Sequence, residues 1–361
     1  MRRELVWGLI AFSSVAASAS QGQVLRSANT HAMEPPATRQ VIPSGNVGQP
    51  GELVQAPITS RESLDLRSAD IYAADHPTVR AVAYLGVLIQ SRTMGRYRIS
   101  TLGESSANSE SFTIASVRNG TLDMARVNFA ALSGSVPEAI VPALPGLFRS
   151  TQHQRHVLDG QIGRDLLAAL DRQNLVGLCF YDTGPRSYYG SKPIRKASDL
   201  SGLRVAIPQF GPWASVLRVP GETMLPMPYT QVGAALKNGA IDLAEESWPT
   251  FVSSGHYKVA RYFNETEHSA TPSVLIFSKR RWLELSQTDR EQIQTAARDS
   301  VREFRAFRDE SEALARRTAR EAGVEVISDV DRSSFTDAAA ALYPTLSPEL
   351  QDLVRRIKDT R

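Results

Sequence analysis

From Ser286 to about Ala322 the sequence keeps a helical pattern without a break, "SQTDREQIQTAARDSVREFRAFRDESEALARRTAREA". Ser286 stands three residues before Asp289, the spacing of a capping box, and so marks the start. At ~1.5 Å per residue such a helix is roughly 50 Å long. One compact domain does not need that length, so a brace across two lobes is the expected arrangement. The dense charge along it reads as a solvated face rather than a binding surface.

The rest of the chain agrees with a two-lobed α/β architecture. Its 361 residues are enough for about two domains, each with its own core. "LDLRSADIY" (64–72) alternates apolar and polar residues as a half-buried strand does. Val79, Val82, Leu85 and Leu88 then form a helical stripe with Pro77 near its start. "YRISTL" reads as a strand, and "SESFTIASVRNGTLDMARVN" as a helix, an Asn-Gly turn and a strand. "LVGLCFY" and "LRVAIP" continue the strands, with helices expected over 151–174 and 229–238. Such alternation implies mostly parallel sheets.

The N-terminus reads as an export signal: Arg2 and Arg3, an apolar stretch from Leu5 to Ala16, then Ala17-Ser18-Ala19 as a cleavage site. Residues 20–63, rich in Gln, Ser, Pro, Gly and Thr, read as a disordered linker. An exported, periplasmic protein is expected. The 41 basic and 38 acidic residues leave a net charge of only +3, scattered along the chain, which gives no reason to expect a nucleic-acid partner. The single cysteine, Cys179, excludes an intramolecular disulfide and any multi-cysteine metal site.

Motifs for catalysis are missing. There is no G-x-S-x-G, H-E-x-x-H, P-loop lysine or G-x-G-x-x-G. His153 and His156 share a helix face but lack a nearby acidic third ligand, so no metal is expected. "GAIDLAEESWP" (239–249) places Glu245 and Glu246 where a strand gives way to a loop, with Asp242 before them. No nucleophile accompanies them, so neither an enzyme nor a cofactor is expected. Instead, aromatic and polar residues concentrate in "YDTGPRSYYGSKPI", "LRVAIPQFGPW" and "LAEESWPTF", each at the end of a strand-like run. In α/β sheets that is where ligands bind, and such residues suit a small polar metabolite.

Those stretches also carry a resemblance. With "LRSADIYAADHPTV", "NGTLDMARVNFAAL", "PALPGLFRS", "VLDGQIG", "GPRSYYGSKPIRKASDLSGLRV", "PMPYTQVGAALKNGAIDLAEESWP" and "TEHSATPSVLIFSKRRWLELSQTDREQIQTAA", the chain resembles the solute-binding proteins of TRAP transporters, of the DctP type, from about Leu66 onward. The resemblance is nearest to the members that bind uronates and related sugar acids. It implies two lobes shut on a ligand between them, with residues 64–183 plus 272–311 in the first and 184–271 plus 312–361 in the second, after a signal peptide (1–19) and the linker (20–63). It also implies partners, the small and large membrane subunits of a TRAP permease, and a monomeric receptor.

For the site, the resemblance implies an anchoring arginine in a stretch like "GLKIRVP"; here the stretch is "GLRVAIP" and the anchor position is Ala206, while Arg204 falls on the family's lysine, two residues away on the same face, which leaves open whether it replaces the anchor. Arg186 in "GPRSYY" retains a second family arginine. Related chains read like "GAENNWP" where this one has "LAEESWP", so Glu245 is kept while Glu246 replaces an amide with an acceptor-only carboxylate. Glu110, Arg126 and Asn128 are expected to line the first lobe, and His76, Phe210, Trp213 and Trp248 to form walls. The family default is a sugar acid or organic acid. Ala206 and Glu246 shift the expectation toward a neutral or cationic ligand, and a drifted paralogue serving as a sensor or partner-binding protein is the alternative.

Overall fold

The computed structural model describes residues 63–102, 109–207 and 221–361. The expected signal peptide and almost all of the expected linker lie outside the described residues. Strands form at Leu64–Ala69 (β1), Tyr97–Leu102 (β2), Met124–Asn128 (β3), Leu175–Tyr181 (β4), Pro185–Gly190 (β5), Arg204–Ile207 (β6), Thr223–Pro226 (β7), Leu243–Glu246 (β8), Tyr262–Ala270 (β9), Ser273–Ser278 (β10) and Glu325–Ile327 (β11). They build two sheets, one ordered β2-β1-β3-β10-β4 and the other β11-β9-β5-β8-β6-β7.

Both sheets are mixed, where the alternation had predicted mostly parallel ones. β10 runs antiparallel to β3 and β4, and β5 runs antiparallel to β8 and β9. The reason is local. The chain passes from β4 into β5, and from β9 into β10, through two or three residues with no helical crossover. A strand that enters a sheet from the other sheet in this way need not keep the direction of its neighbours, whereas a parallel pair needs a long return connection.

The helices are Pro77–Arg92 (α1), Glu110–Arg118 (α2), Thr151–Asp159 (α3), Gln161–Ala169 (α4), Tyr229–Lys237 (α5), Trp248–Ser253 (α6), Lys279–Glu284 (α7), Gln287–Glu321 (α8), Arg332–Ala340 (α9) and Pro348–Asp359 (α10). Where one helix was expected over 151–174, the chain breaks at Gly160. The turn from α3 into α4 is tight enough that a Cβ on Gly163 would lie 1.8 Å from the Leu158 carbonyl oxygen, so only glycine fits there. Helix starts follow side-chain chemistry: His76, Ser109, Ser150 and Ser286 each accept a hydrogen bond from a backbone N–H of the first turn.

The brace is present. α8 spans 35 residues and begins at the predicted Ser286 cap. Ile293, Ala296, Ala297 and Phe304 from its first half join the core under the first sheet, and Ala315 and Ala319 from its second half join the core under the second. At its middle, Arg305 donates to the buried Asp182 at 2.8 Å, beside the β4–β5 crossover. The C-terminal segment departs from the expected lobe assignment. α9 places Phe335 in the second sheet's core, but α10 returns, and Leu350, Leu353, Val354 and Ile357 pack into the first sheet's core with Ile140 and Leu170. The apolar face of α10 needs an apolar partner, and His153 and Arg149 fix it there through the carbonyls of Ile357, Lys358 and Thr360. Among the described residues no helix is long and apolar enough to cross a membrane.

Candidate ligand-binding site

The charged groups of the two sheets meet where several strand ends converge. β1 ends at Ala69, just before Asp70 and Tyr72, and β3 ends at Asn128. β8 ends at Glu246, beside the start of β5 at Arg186 and the end of β9 near His268 and Thr271. On the first sheet, the fully buried Arg126 grips Asp70 with two guanidinium nitrogens, its Nε donating at 2.8 Å. Asp70 also accepts the Tyr72 N–H at 2.9 Å, and the Tyr72 ring lies over the guanidinium, 4.3 Å from its centre. The other arm of Arg126 stands 3.4 Å from Glu110, whose carboxylate accepts the Asn128 N–H at 2.7 Å. The Asn128 side-chain carbonyl is buried and holds no hydrogen bond among the described residues.

On the second sheet Arg186 is the hub. Its Nε donates to Glu245 at 3.1 Å, its Nη2 to the Glu245 carbonyl at 2.8 Å, and its Nη1 pairs with Glu246 at 2.9 Å. Nη1 also donates to Thr271 Oγ1 at 3.3 Å. His268 Nε2 lies 2.9 Å from the same Glu245 oxygen, and its ring stacks on Tyr188. Burial would raise the Glu245 carboxyl, but the Arg186 charge and the His268 contact outweigh it and hold the pKa down to about 2. Both glutamates of the doublet are thus partners of one arginine.

The two clusters feel each other. Burial raises the Tyr72 hydroxyl well above its ordinary value, and the charge of Glu246 from the second sheet raises it further. Glu110 is raised by burial first; Arg126 and the Asn128 N–H oppose this, while Asp70 and Glu246 add to it. His76 caps α1, stacks on Tyr72 at 4.1 Å, and sets its Nε2 3.2 Å from Thr250 Oγ1 in α6, so it links the two halves. Tyr229 meets Tyr72 edge-on at 5.6 Å.

Three of the expected residues are elsewhere or play another part. Arg204 does not replace the missing anchor. It starts β6, where Asp242 takes its Nε at 3.0 Å and the Gly239 carbonyl takes its Nη2 at 2.7 Å. Asp242 precedes Glu246 by four residues along β8, about 13 Å at strand rise, so Arg204 sits at the far end of the sheet. Ala206 is a core residue paired with Ala244 and Leu225 and offers only a methyl group. Trp248 also belongs to the core, its ring stacked on Phe263 at 3.6 Å, because Ser247 and Pro249 turn the chain into α6 at that point. Phe210 and Trp213 lie outside the described residues.

Asp70, Tyr72, His268, Thr271 and Thr250 stand in these clusters beside the expected residues and are not marked by the sequence motifs. A rule that takes the residues directly after strand ends would have found Asp70, Tyr72 and Thr271; nothing local marks His268 or Thr250. A surface groove of about 840 Å³ lies apart from this site. It runs along the open edge of β4 between α4 and α8, and its Arg305 is already held by Asp182 and Asp159.

Comparison with known proteins agrees with the fold. Residues 68–349 match the family model DctP, "Bacterial extracellular solute-binding protein, family 7". A solute-binding protein of Chromohalobacter salexigens is 31% identical over 316 residues, covering 86% of this chain and 94% of its own. A TRAP periplasmic solute-binding protein from a Bradyrhizobium species, solved in complex with α/β-D-galacturonate, is 40% identical with a TM-score of 0.79, over 82% of this chain and 100% of its own. Another from a Polaromonas species, bound to D-erythronate, is 29% identical with the same TM-score of 0.79, over 82% and 99% of the two chains. The chain belongs to the DctP family of bacterial extracellular solute-binding proteins and is a ligand-binding receptor of the TRAP type.

Proposed function

We propose that this receptor works in the periplasm, captures a sugar acid of the uronate type between its two sheets, and delivers it to the membrane subunits of a TRAP permease. The observation that carries the ligand class is the mixture of groups in the cleft. Arg126 and Arg186 offer planar guanidinium groups suited to a carboxylate. Asp70, Glu110, Glu245, Glu246 and the unpartnered Asn128 carbonyl offer acceptors, which suit a row of sugar hydroxyls. A ligand with one carboxylate and several hydroxyls uses both sets. The galacturonate and erythronate found in the similar structures have this composition.

Glu246 bears on the competing ligand. Because it pairs with Arg186, the charge it adds is partly cancelled locally, yet the four carboxylates still outnumber the two guanidinium groups. A neutral polyol or a cationic metabolite is therefore the second reading. A thermal-shift screen of the purified protein against uronates, aldonates, neutral sugars, polyols and cationic metabolites separates the two. A ligand at 100 times its Kd adds about 2.7 kcal/mol, a readily seen rise in Tm. Uronates are expected to give the largest rise. A neutral or cationic compound in first place would overturn the ligand class, and silence from every compound would favour the drifted sensor.

A further inference from the structure

An acidic cleft that accepts an acid has to remove a charge, and the distribution of contacts shows where. Asp70 is spent on the Arg126 fork and the Tyr72 N–H. Glu245 holds Arg186 and His268. Glu246 holds Arg186 at 2.9 Å and the Ser247 N–H at 3.0 Å. Among the described residues Glu110 is the least compensated of the four carboxylates: one backbone N–H at 2.7 Å, and at 3.4 Å the remaining arm of an arginine already engaged by Asp70.

Resting on the sugar-acid reading above, we propose that the ligand enters this cleft together with one proton, and that Glu110 holds that proton in the complex. Glu110 then changes from an acceptor to a donor, and its O–H can be given to a ligand oxygen. The groups that face it come from every side of the cleft: Arg126 and the Asn128 N–H from β3, Asp70 and Tyr72 from the segment after β1, and Glu246 from β8. One of these is a cation and two are anions. Burial already raises the proton affinity of Glu110 in the free protein, with Asp70 and Glu246 adding to it. The N-terminus of α2 favours the ionised form, an effect that is modest at a partly solvated first turn. A ligand carboxylate brought into the same low-dielectric space raises the proton affinity further. Glu110 thus determines specificity through its protonation: it lets a site with surplus acceptors bind an anion.

By linkage, a group that takes up a proton on binding makes affinity fall as pH rises. The test is titration calorimetry of the full protein with D-galacturonate and D-glucuronate in phosphate and in Tris, whose ionisation enthalpies differ widely. The expected result is a binding enthalpy that shifts between buffers by close to one proton per ligand. Kd should weaken by up to about tenfold per pH unit between about pH 6 and about pH 8. Glu110→Gln should bind with no buffer-dependent enthalpy and with a Kd that is flat over that range. Uronate binding in wild type with no proton uptake overturns the inference and leaves the ligand class standing. Uptake that persists in Glu110→Gln overturns the assignment to Glu110. Failure of every sugar acid to bind the folded protein overturns the ligand reading and this inference with it.

Discussion

Arg186 meets four acceptors on one strand and a loop, from a position 2% exposed. A guanidinium can do this because its donors diverge in one rigid plane; a lysine ammonium at the same place is a single point of charge. Removing a partner from such a cluster leaves a buried charge uncompensated, which costs far more than the pair contributes when whole. Buried histidines add a pH dependence to stability. His256 is buried with its Nδ1 2.7 Å from the Tyr189 hydroxyl, and burial lowers its pKa from 6.5 to about 4. Between those values the unfolded chain carries a proton that the folded protein excludes. Stability is therefore whole above pH 6.5 and falls as pH drops toward 4, by up to about 3 kcal/mol for a shift of this size. His76, lowered well below its ordinary value by burial and by Arg126, acts in the same direction. Urea unfolding of wild type and His256→Gln across this range should give a steeper loss in wild type; parallel losses would show that His256 is not the group responsible. At this scale the sequence revealed the carboxylate doublet and both site arginines, because strand ends and family motifs marked them. It hid His268 and Thr250, whose roles depend on which strands lie side by side, and it put Trp248 in the cleft because an aromatic after a strand end can turn either way.

Helix α8 supplies core residues to both sheets, so its effect on stability should not be confined to one of them. Phe304 is fully buried and lies 4.7 Å from Tyr181 in the first sheet's core. Phe304→Ala should cost about 3–5 kcal/mol, the usual loss for emptying such a site. Because Ala315 and Ala319 of the same helix close the second sheet's core, the loss should reach that sheet too. Trp248, packed there on Phe263, reports on it once Trp7, Trp213 and Trp282 are replaced by Phe. In denaturant, Trp248 fluorescence and far-UV circular dichroism are expected to shift together to a lower midpoint in Phe304→Ala. A Trp248 transition left at its original midpoint would mean that the helix does not couple the sheets. The helix was readable from sequence because its 3.6-residue pattern and its cap are local. The direction of β5 and β10 and the return of α10 to the first sheet were not, since they depend on short crossovers and on which apolar face is left uncovered.

For the molecule as a whole, the candidate site draws its groups from both sheets, and a ligand held by both would bridge them. Asp70, Tyr72, Glu110, Arg126 and Asn128 belong to one side; Arg186, Glu245, Glu246, His268 and Thr271 belong to the other. The chain joins the sides at residues 182–184 and 271–272, along α8 and between α9 and α10, with His76 and Thr250 in contact across the cleft. A ligand that touches both sides stabilises the closed arrangement by as much as its affinity for that arrangement exceeds its affinity for an open one. Ligand binding should therefore slow local opening on both sheets at once. Hydrogen–deuterium exchange with saturating uronate should show protection in residues 70–76 and 126–130 and equally in 244–250 and 268–272. The outer surface of α10 should change little, since it packs on the first sheet's core away from the cleft. Protection limited to the first pair of segments would place the ligand on one sheet only, and Arg186 would then be a structural clasp for the doublet rather than part of the grip on the ligand.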